Sequence, residues 1–268
     1  MIITTIIILI SLGFVSGLFA GLLGIGGGII FLPFAKLYFL DYLHYDHDFI
    51  KILIATSTAI IVINTFTSVY NHKKSGNVIF SFWPYFLVAT ILGSQIGGLL
   101  IKSIPAIYLE ITIAVLLFLA ALKMIFVKQT DNPPKEVTKK EYYTIAVFAF
   151  IISLLTTILG VGAGSKMVVL LYIIVKLPLN KTIGTTSLFT FFVSITAAFF
   201  YLTHATDIKT PDSHTLIGYI DITVFLYVSI GGMIGAKLGV ILVNVIPKSI
   251  TKKIFIAFLL FGATKMVF

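Results

Sequence analysis

The chain has 268 residues, 59% of them hydrophobic and 11% charged, with a mean hydropathy of +1.10. A soluble domain carries about 25% charged residues, so this composition excludes a soluble globular fold and fits a chain surrounded by lipid. Cysteine is absent and the net charge of +9 comes from lysine alone. A disulfide framework, thiolate catalysis and a cysteine metal site are excluded. The positive excess reads as lysines favouring one membrane face, with no nucleic-acid partner.

Apolar segments are expected at Met1–Leu23, Ile25–Leu40, Phe49–Tyr70, Val78–Ile101, Pro105–Val127, Tyr142–Leu159, Lys166–Val175, Ile183–Thr203, Leu216–Val245 and Ile254–Phe268. Several reach the roughly 20 residues that cross a bilayer core. Met1–Leu23 lacks a cationic leader and reads as a first membrane segment rather than a signal peptide. Ile25–Leu40 and Lys166–Val175 are shorter and begin at glycine clusters, as half-helices or short packed spans.

Those clusters are Gly24-Ile25-Gly26-Gly27-Gly28 and, 136 residues on, Gly160-Val161-Gly162-Ala163-Gly164. Other anchors repeat at an offset of 142: Gly93/Gly97 with Gly235/Gly239, Ile104-Pro105 with Ile246-Pro247, Gly76 with Gly218, and Lys123-Met124 with Lys265-Met266. Ala55-Thr56-Ser57 matches Thr185-Thr186-Ser187 at 130. The expected organisation is a first transmembrane repeat over 1–128, a cytoplasmic linker over 129–141 with Asn132-Pro133-Pro134, and a second repeat over 142–268.

Lysine concentrates in four loops, at Lys73–Lys74, Lys128–Lys140, Lys176–Lys181 and Lys248–Lys253. Placing these in the cytoplasm with five segments per half puts both termini outside and inverts one half relative to the other. The expected fold class is therefore an all-α polytopic membrane protein of two inverted five-segment repeats with glycine-broken short helices. The expected location is the cell (inner or plasma) membrane, multi-pass.

A helix that starts after a glycine turn presents free amides and a partial positive charge, an anion site without side chains. Gly26, Gly27 and Gly28 in one half, and Gly162, Ala163 and Gly164 in the other, are the candidates. The alternative is close helix packing. Lys166 and Lys237 add charge in the second half only, where Ile30 and Gln95 stand in the first. A lysine at bilayer depth is costly; an anionic substrate offsets that, and snorkelling to an interface is the alternative. Thr56, Ser57, Asn64, Thr185, Thr186 and Ser187 offer hydroxyl and amide donors for an oxyanion, or serve as caps and interhelical bonds. The turn is either the tip of a re-entrant hairpin or a surface break between full spans.

Gly93-xxx-Gly97 and Gly235-xxx-Gly239 read as packing motifs. Glu110, Asp221, His72 and His204 lie near segment ends and read as interfacial, so no carboxylate proton or sodium site is visible. Gly-x-Ser-x-Gly, His-Glu-x-x-His and the Walker lysine loop are missing, so neither an enzyme nor a cofactor is expected.

In half one, Gly21–Gly28 with Pro33, Ala55–Thr58 and Tyr70–Val78 carry a family resemblance; in half two, Leu159–Gly164, Leu177-Pro178 and Ile183–Leu188 carry it. In this order they make the whole chain resemble the sulfite exporter TauE/SafE family, also called the toluene-sulfonate uptake permeases. The resemblance implies a secondary transporter of small sulfur-containing anions such as sulfite, sulfonates, sulfoacetate or thiosulfate, working by alternating access. The chain departs from the family pattern at Ala163-Gly164-Ser165-Lys166, and Val169 replaces the proline expected opposite Pro33. A passive anion channel and a non-transport assembly subunit are the alternatives. Small-residue motifs on apolar faces also permit a homodimer.

Overall fold

The computed structural model describes residues 2–126, 138–208, 214–242, 245 and 248–267. Residues 129–137 of the expected linker, with Asn132-Pro133-Pro134, and the Ile246-Pro247 pair lie outside the described residues. The helices are α1 (Ile2–Leu23), α2 (Gly28–Lys36), α3 (Phe49–Lys74), α4 (Trp83–Ile101), α5 (Ala106–Phe126), α6 (Lys139–Leu159), α7 (Gly164–Val169), α8 (Leu179–Thr203), α9 (Ile222–Leu242) and α10 (Lys248–Val267). Among the described residues, α1, α3, α4, α6, α8 and α9 are long and apolar enough to cross a bilayer, and α5 and α10 carry shorter apolar stretches. The protein is an all-α polytopic membrane protein.

One local feature differs from expectation. Leu216–Val245 reads as a single apolar segment, but its first residues form a small hairpin, β1 (Leu216–Ile217) and β2 (Ile220–Asp221), before α9 begins. Gly218 turns it with φ +60°, packed on the Tyr201 carbonyl, a backbone geometry that costs a glycine little.

Burial identifies the centre. The most apolar windows of α3 and α8 are 78% and 72% buried in protein, against 44–50% for the other spanning helices, so α3 and α8 form the enclosed core and the rest face lipid. The reason is in their sequences. Thr56–Thr58, Asn64, Thr65 and Ser68 on α3, with Thr185–Ser187, Thr190 and Ser194 on α8, are all buried, because polar groups find partners in protein and none in lipid.

Glycine sets the helix pairing. Gly13, Gly17 and Gly21 of α1 approach the carbonyls of Val228, Gly232 and Ala236 of α9, where a Cβ would stand only 2.0–2.2 Å away. Gly231, Gly235 and Gly239 of α9 approach Ile10, Phe14 and Leu18 of α1 in the same way. Both residue series rise together, so α1 and α9 run parallel. In the other cross-half pair, Gly93 and Gly97 of α4 approach Phe150 and Leu154 of α6, again parallel. The packing reading of both small-residue motifs holds. On the axis between the halves, α3 and α8 run antiparallel: Ser68 meets Ser187, and Phe66 meets Phe191.

The two breaks fall where the clusters predict. α1 ends at Gly24 (φ +69°), and Gly26 and Gly27 keep positive φ; α6 ends at Gly160 (φ +63°), followed by Gly162 (φ +35°). Each short helix then runs into a π-helical turn, Leu37–Tyr42 after α2 and Leu170–Ile174 after α7. Such turns are rare and concentrate at functional sites. At one end of the bundle Lys181 Nζ donates to the Gly76 carbonyl, bringing two lysine-bearing loops together. At the other, Tyr45 joins His214, and Lys36 joins Glu110.

Candidate functional site

The two glycine turns touch. A Cβ on Gly162 would stand 2.0 Å from the Ile25 carbonyl oxygen, and one on Gly164 would stand 2.3 Å from the Ile25 Cα. One on Gly28 would be 2.5 Å from the Gly160 carbonyl oxygen. Backbone thus meets backbone, and only glycine permits it. The contact lies against the buried middle of α3 and α8: Gly26 packs on Ile61 and Thr190, and Gly160 on Ile54. The turns are tips of hairpins inside the protein rather than surface breaks. Ser16, well before the end of α1, lies beside Gly27, so the chain doubles back along α1.

Hydroxyls hold the turns by their carbonyls. Ser57 Oγ donates to the Gly160 carbonyl at 2.9 Å, and Thr190 Oγ1 donates to the Gly24 carbonyl at 3.4 Å. Ser16 Oγ donates to the Gly27 carbonyl at 3.1 Å, and Asn64 Nδ2 stands 3.5 Å from Ser16 Oγ. With the carbonyls engaged, the amides are what remain. Among the described residues no hydrogen-bond acceptor is found for the amides of Ile25–Ile29 or Val161–Lys166. Buried amides normally have a partner, so these two adjoining sets are the candidate cradle for an anion. Asn64 Oδ1 and Thr186 Oγ1 are also buried without a partner.

The remaining sequence candidates divide. Gly26–Gly28, Gly162–Gly164, Ser57, Asn64 and Ser187 come together around the turns, and a Cβ on Gly24 would be 2.9 Å from Ser187 Oγ; Thr186 is buried on α8, its carbonyl accepting from Thr190 Oγ1. Thr56 and Thr185 serve the neighbouring architecture: Thr56 Oγ1 accepts from the Asp221 amide, and Thr185 Oγ1 from the Ile79 amide, both at 3.0 Å. Lys166 is half-buried in the first turn of α7. Lys237 stands on the exposed face of α9, away from the turns, because Gly235 and Gly239 turn the opposite face to α1.

Sequence reasoning missed Ser16 and Thr190. Ser16 is a small hydroxyl inside an apolar segment, and Thr190 stands one helical turn after Thr186; that spacing was the available signal. The interfacial reading of Glu110, Asp221 and His72 is corrected: all three are buried in protein. Glu110 pairs with the buried Lys36 at 3.1 Å and with His47. Asp221 pairs with His214. His72 Nε2 lies 3.3 Å from the Gly21 carbonyl. Each lies near a segment end, as expected, but partners brought in by other segments enclose it. His204 is partly exposed and stacks on Phe200.

The chain is similar along most of its length to probable membrane transporter proteins. It is 24% identical over 248 residues to YdhB of Bacillus subtilis, covering 91% of this chain and 93% of that protein. It is 24% identical over 265 residues to a probable membrane transporter of Haemophilus influenzae, covering 98% of each. A third, from Methanocaldococcus jannaschii, is 25% identical over 234 residues, covering 87% of this chain and 84% of the relative. No solved structure matches. The family model described as sulfite exporter TauE/SafE matches residues 9–266, and the chain belongs to that family of membrane proteins.

Proposed function

We propose that the protein is a secondary transporter of small sulfur-containing anions, such as sulfite, sulfonates, sulfoacetate or thiosulfate. The observation that carries this reading is the pair of touching glycine turns, for whose amides no acceptor is found among the described residues. A sulfonate or sulfite head presents several oxygens on one centre and can accept from amides of both turns at once. Lys166 adds charge on the α7 side and makes the site asymmetric. Lys237, exposed on α9, takes no part.

Inverted repeats and alternating access extend the same reading. First and fourth segments of two halves in the same orientation would run antiparallel; the parallel course of α1 with α9, and of α4 with α6, supports inversion. The antiparallel course of α3 and α8 supports it as well. Because each half contributes one turn, rocking one half against the other would part the turns alternately toward either side. Closely packed turns also favour a gated carrier over a continuous pore. With the lysine-bearing end in the cytoplasm, both termini lie outside.

Uptake of a labelled sulfonate or sulfite into proteoliposomes containing the purified chain tests the function. Saturable flux that unlabelled anion accelerates by exchange is expected. Ion currents without saturation would establish a channel instead, and no flux with any sulfur oxyanion would refute transport of this class.

A further inference from the structure

Asp221 and His214 form a second buried polar centre, apart from the glycine turns. The Asp221 side chain is fully enclosed, and that of His214 is 8% exposed. His214 Nδ1 bonds to Asp221 Oδ2, and Nε2 faces the Tyr45 hydroxyl at 3.1 Å. Rings of Phe39, Tyr45 and Phe49 pack around the imidazole. Asp221 Oδ1 accepts from the Val224 amide in the first turn of α9. The Asp221 amide donates to Thr56 Oγ1, and the next residue, Ser57, holds the Gly160 carbonyl of the second glycine turn. One hydrogen bond and one residue of α3 therefore connect the pair to the site.

A comparable contact in the other half, one residue out of register on α8 because Thr56 matches Thr186, shows such a tether by itself. Ile79 stands 142 positions before Asp221, and its amide donates to Thr185 Oγ1 at the foot of α8. The same kind of backbone tether is thus made there without an ionisable side chain. The acid is an addition of the second half, whereas His72 stands 142 positions before His214. Buried charges are costly unless paired, and this pair lies in the hairpin and its approach, just before α9 begins. His214 also borders a mainly apolar, open-sided groove of about 1820 Å³ between α1, α2 and α9. The other ionisable residues lining it are Tyr38, Asp41, Tyr42, Tyr45 and Tyr227.

We infer that the His214–Asp221 pair is the protonation site that couples anion movement to a proton gradient, so that the protein works as a proton–anion symporter; this rests on the transporter reading above. With the Nδ1 proton held by Asp221, the neutral ring accepts the Tyr45 hydroxyl at Nε2 and the pair carries one negative charge. A proton arriving through the groove binds Nε2, the Tyr45 hydroxyl turns to accept from it, and the pair becomes neutral. An anion at the glycine turns meets a negative neighbour before protonation and a neutral one after it. Charges in a protein interior interact more strongly than they do in water. Proton and anion therefore promote each other's binding, reciprocally, and the proton leaves with the anion on the other side.

Two measurements test this on the full chain. The first compares exchange with net accumulation of labelled methanesulfonate, a permanently monovalent anion, in proteoliposomes. With acid on the His214 side, a gradient of one pH unit should drive about tenfold accumulation. His214→Gln and Asp221→Asn should keep exchange and lose the accumulation. Accumulation equal to wild type in both variants overturns the proposal, whereas a wild type without exchange refutes the transporter reading. The second needs no substrate. Infrared difference spectra of the purified protein between acid and alkaline buffers should show a histidine component that His214→Gln removes and Asp221→Asn shifts. A difference spectrum unchanged in both variants overturns the proposal independently of transport.

Discussion

Replacing Gly164 by alanine tests the central contact. An added Cβ would lie 2.3 Å from the Ile25 Cα and 2.5 Å from the Gly24 carbonyl oxygen. Ordinary carbon contacts begin near about 3.5 Å, so the two turns must separate by about 1 Å. The obstructing atoms are backbone, so no rotamer change relieves the clash. Overpacking of this kind costs about 1–3 kcal/mol. Gly164 does not have a positive φ, so backbone strain adds nothing. Gly76 supplies the control. Its φ is +67° with nothing within 4 Å of an added Cβ, so Gly76→Ala carries only a left-handed conformational cost of about 1–2 kcal/mol. Circular-dichroism melts in detergent should show both variants destabilised. Sulfonate exchange in proteoliposomes should be lost in Gly164→Ala alone. A Gly164→Ala protein that melts and exchanges like wild type would refute both the packed turns and their role.

Other outcomes follow from neighbouring groups. Lys36→Met leaves the Glu110 carboxylate buried without its main partner and should cost about 3–5 kcal/mol, whereas Lys36→Met/Glu110→Leu should recover most of it; denaturant titration in mixed micelles reads both. Ser57→Ala removes the bond to the Gly160 carbonyl and should cost about 0.6–1.5 kcal/mol by the same titration. Lys166→Ala should weaken anion affinity about tenfold, the scale of one charged hydrogen bond, and Lys237→Ala should leave it unchanged. Calorimetric titration with sulfite or a sulfonate measures both, and equal losses in the two would disconnect Lys166 from the site.

Much of this protein is legible without coordinates because membrane folding rests on few rules. Composition and segment length alone call for apolar helices. Positive-φ turns with no room for a side chain demand glycine, so Gly24–Gly28 and Gly160–Gly164 mark the breaks in advance. The small-residue rows at Gly93/Gly97 and Gly235/Gly239 announce close packing for the same reason. The hydroxyl rows of α3 and α8 signal burial, since they have no stable place against lipid.

Partnership across the chain is another matter. Lys36 meets Glu110, and His214 meets Asp221 and Tyr45, only because distant helices bring them together. Each read alone stands near a segment end, where an interface is the ordinary expectation. Lys237 shows the converse: its spacing between two glycines suggested the site, but which face of α9 those glycines present is settled by α1. Nor could sequence decide whether the glycine turns were surface breaks or inner tips, because the return of the chain along α1 is a packing event. Local backbone chemistry is written in neighbouring residues. Which buried charges are paired, and which polar groups are left open to a ligand, depends on contacts between segments far apart in the chain, and so only the tertiary structure decided it.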